Sequence, residues 1–169
     1  YYEMTGHPTH RRRLIEVIEL IQAKMLHPGN GLGYIHFAYD WTPLPRIIFA
    51  TEWGRDAMLD SGEAPMDQTS PGHNVEFVWL LLHAADVLGI PRSEHTKVVR
   101  PICDHCVDIG IDHEYGGVYA DTPMERPTET TEKQYWQQSE VLIGMLDAYA
   151  LLGDQKYLDA FLNVYNFLF

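Results

Sequence analysis

Ser70-Pro71-Gly72-His73-Asn74-Val75-Glu76-Phe77-Val78-Trp79-Leu80-Leu81-Leu82 is the stretch from which the fold is read. Serine is a favoured N-cap, and proline suits the first helical position because its missing N–H would have been unpaired there anyway. A helix is therefore expected to start at Pro71. From Val75 to Leu88 it is apolar almost all round, which predicts burial on every side, and only His73, Glu76 and His83 form a polar stripe. Burying that stripe against apolar neighbours would leave it unpaired, so it is expected to line a cavity. His73 sits in the first turn, where the positive end of the helix dipole opposes a second positive charge and favours a neutral, proton-accepting imidazole. Glu76, three residues on, shares its face. It is expected to bond one ring nitrogen, set the tautomer and leave the other nitrogen free to move a proton. The same spacing also suits an idle capping pair.

Outward from this stretch, helical periodicity dominates. Leu14, Ile15, Ile18, Ile21, Ala23 and Met25 mark a helix over Arg11 to Met25, which stops before Pro28-Gly29-Asn30-Gly31. Gly33 to Trp41 mixes aromatic and turn residues and reads as a short hairpin or loop, with Pro43 and Pro45 expected to prevent regular pairing. Between Ile47 and Met66 the pattern is weak, with a helical turn or ordered loop expected over Phe49 to Leu59. The central helix, about Pro71–Leu88, is followed across Gly89-Ile90-Pro91 by another over about Arg92–Ile109. Tyr115-Gly116-Gly117-Val118-Tyr119 is a glycine-hinged turn, and Thr122–Thr130 a Pro/Thr-rich loop. Thr131 opposite Gln134 has the spacing of a capping box for a helix reaching Leu152, and a last helix covers about Gln155–Phe169.

Helix ends recur in one form. Tyr2-Glu3-Met4-Thr5-Gly6-His7, Asp86-Val87-Leu88-Gly89-Ile90 and Ala150-Leu151-Leu152-Gly153-Asp154 each run a helix into glycine and then into a new helix. Glycine after the last helical residue suits the left-handed conformation there. The chain is thus expected to be all-α, built from helical hairpins that either stay open as a solenoid or close into a ring. Tyr1–Thr5 reads as the last turn of a helix already under way and Asn166-Phe167-Leu168-Phe169 lacks a stop signal, so residues 1–169 are expected to be a domain cut at both ends.

Composition narrows the function classes. With 169 residues, 46% of them hydrophobic and 12% aromatic, the chain can bury a real core. A net charge of −12 repels phosphate backbones and anionic membranes, and Arg11-Arg12-Arg13 is the one basic run against it. Nucleic acid and membrane are not expected partners. No apolar run is long enough to span a bilayer and no signal-peptide pattern opens the chain, so a cytoplasmic location is expected. Cys103 and Cys106 form a Cys-x-x-Cys, but no second cysteine pair completes a zinc site. Inside a helix they pack side by side as small hydrophobes, and no metal is expected.

The motifs, taken together, resemble a known family. Gly72-His73-x-x-Glu76-x-x-Trp79-Leu80-Leu81, the loop Asp40-Trp41-Thr42-Pro43, Gly116-Gly117-Val118-Tyr119 and Tyr135-Trp136-Gln137-Gln138-Ser139-Glu140 occur in this order in the N-acylglucosamine 2-epimerase and cellobiose 2-epimerase family, which includes aldose–ketose isomerases. The resemblance implies part of an (α/α)6 barrel of helical hairpins with short β-hairpin loops on one rim, its inner helices facing a central sugar pocket. It implies His73 as one of two acid/base histidines and Glu76 as its orienting carboxylate. It also implies Trp136 as a wall for the sugar ring, with Gln138 and Glu140 binding substrate or supporting the pocket. Tyr135 and Ser139 stand where the family usually has Trp and Ala. In the family the second histidine lies on a segment that would follow Phe169, and an arginine on one that would precede Tyr1, so this stretch alone is expected to be inactive.

The chemistry suits the residue types. An opened reducing sugar has an acidic C2 proton because the carbonyl delocalises the charge as an enediolate, and a neutral histidine can take it. Return to the opposite face of C2 gives an epimer; delivery to C1 gives a ketose. No cofactor is needed if polar groups stabilise the oxyanion. A mono- or disaccharide is the expected partner, with a homodimer left open. Two other readings stand beside this one: a glycoside hydrolase on the same scaffold, using Glu76 and Glu140, and a non-catalytic sugar-binding module. Of the tryptophans, Trp79 is expected in the core. His113 and Glu114 are candidates for the pocket rim, while His36, His83, His95 and His105 are expected at the surface or satisfied in the core.

Overall fold

The computed structural model describes residues 1–44 and 66–169, so the expected turn over Phe49–Leu59 lies outside the described residues, as do Pro45 and Trp53. The order is α1 (Tyr2–Thr5), α2 (Pro8–Leu20, running on as a π-helical turn, Ile21–Met25), β1 (His36–Phe37), β2 (Pro43–Leu44) and β3 (Gln68–Thr69). Then come α3 (Pro71–Leu88), a 3-10 turn (Arg92–His95), α4 (Thr96–His105, continued by a π-helical turn, Cys106–Gly110), β4 (Thr122–Pro123), α5 (Tyr135–Leu152) and α6 (Gln155–Leu168). The architecture is all-α, with two-stranded antiparallel ribbons joining β1 to β2 and β3 to β4.

The three glycine joints behave as expected. Gly6, Gly89 and Gly153 all adopt the left-handed conformation, with φ of 61°, 71° and 71°. Each ends one helix and allows the next to fold back, which makes the α1/α2, α3/α4 and α5/α6 hairpins.

Helix α3 packs most extensively on α5, and α5 on α6. Contacts at both ends show that α3 and α5 run the same way. In their first turns the rings of His73 and Trp136 meet at 4.6 Å, while near their C-termini Asp86 and Asp147 share Arg92. Val75, Val78 and Leu82 of α3, Val99, Ile102, Cys103 and Cys106 after it, Val141, Met145 and Ala148 of α5, and Tyr157 and Val164 of α6 fill one continuous core. Glycine 144 allows the close approach of α3 and α5. A Cβ there would overlap Val75 Cγ1 and stand 3.0 Å from the Val75 carbonyl oxygen.

Several expectations need correction. Helix α3 is not buried all round: Leu80 is 43% exposed and His83 and Asp86 lie at the surface. Pro43 does pair, opposite Phe37, because an antiparallel ribbon two residues long leaves room for a residue without an N–H. Helix α5 starts at Tyr135, with Gln134 as N-cap and no side-chain cap bond, so the Thr131/Gln134 capping box does not form. Instead the chain before the helix is tied to the buried Ala120, whose N–H donates to the Glu132 carbonyl at 2.8 Å. Cys103 and Cys106 are fully buried in the core, and burial pushes both thiols up, Cys106 to about 12.

Candidate active site

The site is assembled where the first turns of α3 and α5 meet the segment Gly117–Ala120. Two left-handed glycines lead into it, Gly116 and Gly117 at φ of 80° and 83°, and turn the chain so that Ile111 bridges Val118. A buried cluster holds the turn. Asp112 Oδ1 accepts the N–H groups of Glu114 and Tyr115, and its Oδ2 lies 2.7 Å from Lys133 Nζ. Burial alone would raise the Asp112 pKa, but Lys133 and the two N–H donors outweigh it and hold the carboxyl down at about 2. Lys133 also stands over the ring of Phe167 at 4.9 Å, joining the turn to α6.

From this base Gln138 grips Val118 on both sides. Its Oε1 accepts the Val118 N–H at 2.7 Å and its Nε2 donates to the Val118 carbonyl at 2.9 Å. At 1% exposure it faces backbone rather than a ligand. Of the two roles expected of Gln138, binding substrate or supporting the pocket, its bonds to Val118 fit the second. Gln137 is likewise buried. It donates to the Ala120 carbonyl at 3.0 Å and accepts from Gly72 N at 3.3 Å, so it ties α5, the 117–120 segment and the start of α3 together.

His73 projects from this frame and is exposed. Its Nδ1 lies 2.9 Å from Ser70 Oγ, and its ring is edge-on to Trp136, with an interplanar angle of 70°. Trp136, 37% exposed, donates its indole N–H to Gln134 Oε1 at 2.9 Å, which fixes the ring's orientation. The expected orienting bond from Glu76 does not form: among the described residues Glu76 makes no hydrogen bond with His73, and Ser70 occupies that role. Ser70 in turn does not cap the helix with its side chain, because its hydroxyl is committed to His73 and to the Ala120 carbonyl, 3.3 Å away. Sequence reasoning missed Ser70 and Gln137. A Ser-x-x-His spacing across a helix start was a usable signal for the first; Gln137 had none, since the partners that tie it into the site, Ala120 and Gly72, lie 17 and 65 residues away.

Glu140 and Trp79 form the next layer. Trp79 is half-buried rather than core, and its indole N–H donates to Glu140 Oε2 at 2.7 Å across the α3–α5 seam. The polar stripe on α3 therefore divides. His73 joins the site, Glu76 is half-buried beyond it, and His83 sits 3.3 Å from Glu3 beside a separate apolar groove of about 500 Å³ between α2 and α3. His113 is exposed and its Nε2 bonds the Val107 carbonyl, while His105 is buried with Nε2 on the Pro123 carbonyl.

The profile of the N-acylglucosamine 2-epimerase family matches residues 1–168. The chain belongs to this family. Among its relatives, a cellobiose 2-epimerase of Ruminococcus albus is 29% identical over 102 residues, and the N-acylglucosamine 2-epimerase of Rattus norvegicus is 32% identical over 108. Each match covers 59% of this chain and 25% of the relative, so the chain spans about a quarter of the curated relatives it matches. Solved structures agree in fold. A sugar epimerase from a ruminal bacterium superposes with a TM-score of 0.75 at 20% identity, and a D-mannose isomerase with 0.72 at 19%. They cover 98% of this chain, which corresponds to 36% and 40% of theirs. The hairpins of this family member therefore form part of the epimerase α/α barrel.

Proposed function

We propose that the protein is a sugar 2-epimerase or aldose–ketose isomerase that moves the C2 proton of a reducing mono- or disaccharide through an enediolate, with His73 as base. One observation carries this reading. His73 stands exposed where the first turns of the parallel helices α3 and α5 meet, one ring nitrogen engaged by Ser70 and the ring packed at 70° to that of Trp136. An imidazole so held offers its remaining nitrogen to a ligand, and a neighbouring indole suits the apolar C–H face of a sugar ring. The relatives named as cellobiose 2-epimerase, N-acylglucosamine 2-epimerase and D-mannose isomerase support the same class.

The proton balance is simple. The C2–H bond breaks, His73 takes the proton, and the electron pair enters the enediolate next to the C1 carbonyl. Return of a proton to C2 or C1 decides epimer or ketose. Glu76, half-buried on the same helix, makes no hydrogen bond with His73 and takes no part in this step. A net charge of −12 keeps nucleic acid outside this reading, and the expected setting is the cytoplasm; among the described residues no helix is long and apolar enough to cross a membrane.

Incubating the full-length protein in heavy water with mannose, glucose, N-acetylmannosamine and cellobiose tests it. Deuterium should appear at C2 of at least one sugar, and His73→Asn should slow this by about 100-fold or more. Absence of exchange with every sugar would favour a binding module. Cleavage of a glycosidic bond that survives His73→Asn would favour a hydrolase, a role that Glu140 suits poorly while it accepts the Trp79 N–H.

A further inference from the structure

We propose that Ser70 is the positioning residue for His73 and holds the imidazole as its Nδ1–H tautomer, so that bare Nε2 receives the sugar proton. The idea rests on the reading of His73 as the base. Ser70 is 5% exposed, and its Oγ lies between two atoms: His73 Nδ1 at 2.9 Å and the Ala120 carbonyl oxygen at 3.3 Å. A hydroxyl has one proton to give, and a carbonyl can only accept. If Ser70 gave that proton to Nδ1, its oxygen would face the Ala120 oxygen with no proton between them, in a place that water does not reach. With the proton on Nδ1, both contacts are hydrogen bonds: His73 Nδ1–H donates to Ser70 Oγ, and Ser70 O–H donates to Ala120. Leaving a buried polar contact unmade is the more expensive arrangement, so the second state wins.

The acceptor at the end of this relay cannot drift. Ala120 also accepts from Gln137 Nε2 at 3.0 Å, and Gln137 Oε1 takes the Gly72 N–H. Gly72 is filled by that amide, since a Cβ there would stand 2.5 Å from both Gln137 Cγ and Oε1. Carbonyl, amide and helix start therefore form one block, and Ser70 transmits its direction to the imidazole. Trp136 on the other side limits rotation of the ring. When Nε2 takes the proton, Nδ1–H keeps its acceptor, so the imidazolium forms without rearrangement.

The test uses the intact protein labelled with ¹⁵N-histidine, at a pH above the titration of its imidazoles, with His73→Asn assigning the signal. A protonated-type shift at Nδ1 and an unprotonated-type shift at Nε2 are expected. Ser70→Ala should lose this bias and lower kcat by roughly tenfold, the loss of one hydrogen bond, with KM little changed. Ser70→Thr, which keeps the hydroxyl, should restore both. A wild-type spectrum with the proton on Nε2, or a Ser70→Ala protein with unchanged tautomer and kcat, overturns the proposal. Thermal melting checks that each variant folds; if Ser70→Ala does not, the wild-type spectrum alone decides. The spectrum needs no sugar, so the two readings fail separately. Nδ1–H without any C2 exchange overturns the proposed function, whereas C2 exchange with an Nε2–H ring overturns only the role of Ser70.

Discussion

Trp79 Nε1 donates to Glu140 Oε2 at 2.7 Å, joining α3 to α5 one helical layer behind His73 and Trp136. The contact is partly shielded and charge-assisted, which makes it stronger than a neutral surface bond. Trp79→Phe keeps most of the ring volume and removes the donor. It should cost about 1–2 kcal/mol, and Glu140→Leu should lose most of its own penalty in the Trp79→Phe background. Urea unfolding of the two single variants and the double variant measures this coupling.

The same seam has no spare space at Gly144. Alanine is the better helix former by about 1 kcal/mol, yet its methyl group would meet the Val75 side chain and carbonyl. Overpacking of this kind costs about 1–3 kcal/mol, and a carbonyl cannot rotate away as a side chain can. Gly144→Ala should therefore destabilise the fold, and a gain in stability would mean that α3 and α5 lie farther apart than described.

Gln138 separates support from ligand contact. Gln138→Leu leaves both polar groups of Val118 buried without their partner and should cost about 2–4 kcal/mol. If the residue touched sugar instead, KM would rise while chemical stability stayed near wild type. Denaturation together with saturation kinetics distinguishes the two.

Asp112 contributes a pH-dependent part of the stability. Its folded pKa, at about 2, lies below the 3.8 of an ordinary carboxyl, because Lys133 and two backbone donors outweigh the effect of burial. A depressed carboxyl stabilises the folded state fully above its unfolded value and loses that contribution as pH falls through its folded value. The difference in urea midpoint between wild type and Asp112→Asn should thus be constant above about pH 5 and shrink steadily between about pH 4 and 2.

Cys103 and Cys106 should be inert in the folded protein. Burial raises both thiols, and neither side chain has exposed surface. A thiol reagent at pH 8 should label neither until denaturant is added; rapid labelling of the native protein would show that the α4 core opens.

Much of the fold was legible because its signals are local. Pro71 after Ser70 marked the start of α3, three glycines marked the joints, and a 3.6-residue rhythm marked α2. Local rules failed where a distant group competed. Thr131 and Gln134 had capping-box spacing, but the chain before α5 is drawn into a bond between Ala120 and Glu132. Trp79 was expected in the core because buried tryptophans are usually there; it is half-buried, and its N–H goes to Glu140, 61 residues on.

The candidate site divides along the same line. Residues 70–88 by themselves specified a helix with His73 in its first turn, because helix starts and periodicity depend on neighbours a few positions away. Which atom orients His73, and whether Gln138 faces a ligand or the backbone, depended on the 117–120 segment and α5 folding against that turn. The Ser70–His73 spacing is local, but Ser70 and Glu76 both lie three residues from His73; the choice between them came with the bond that holds the Ser70 hydroxyl to Ala120, 50 positions on, and so distant a bond leaves no periodic trace in a chain.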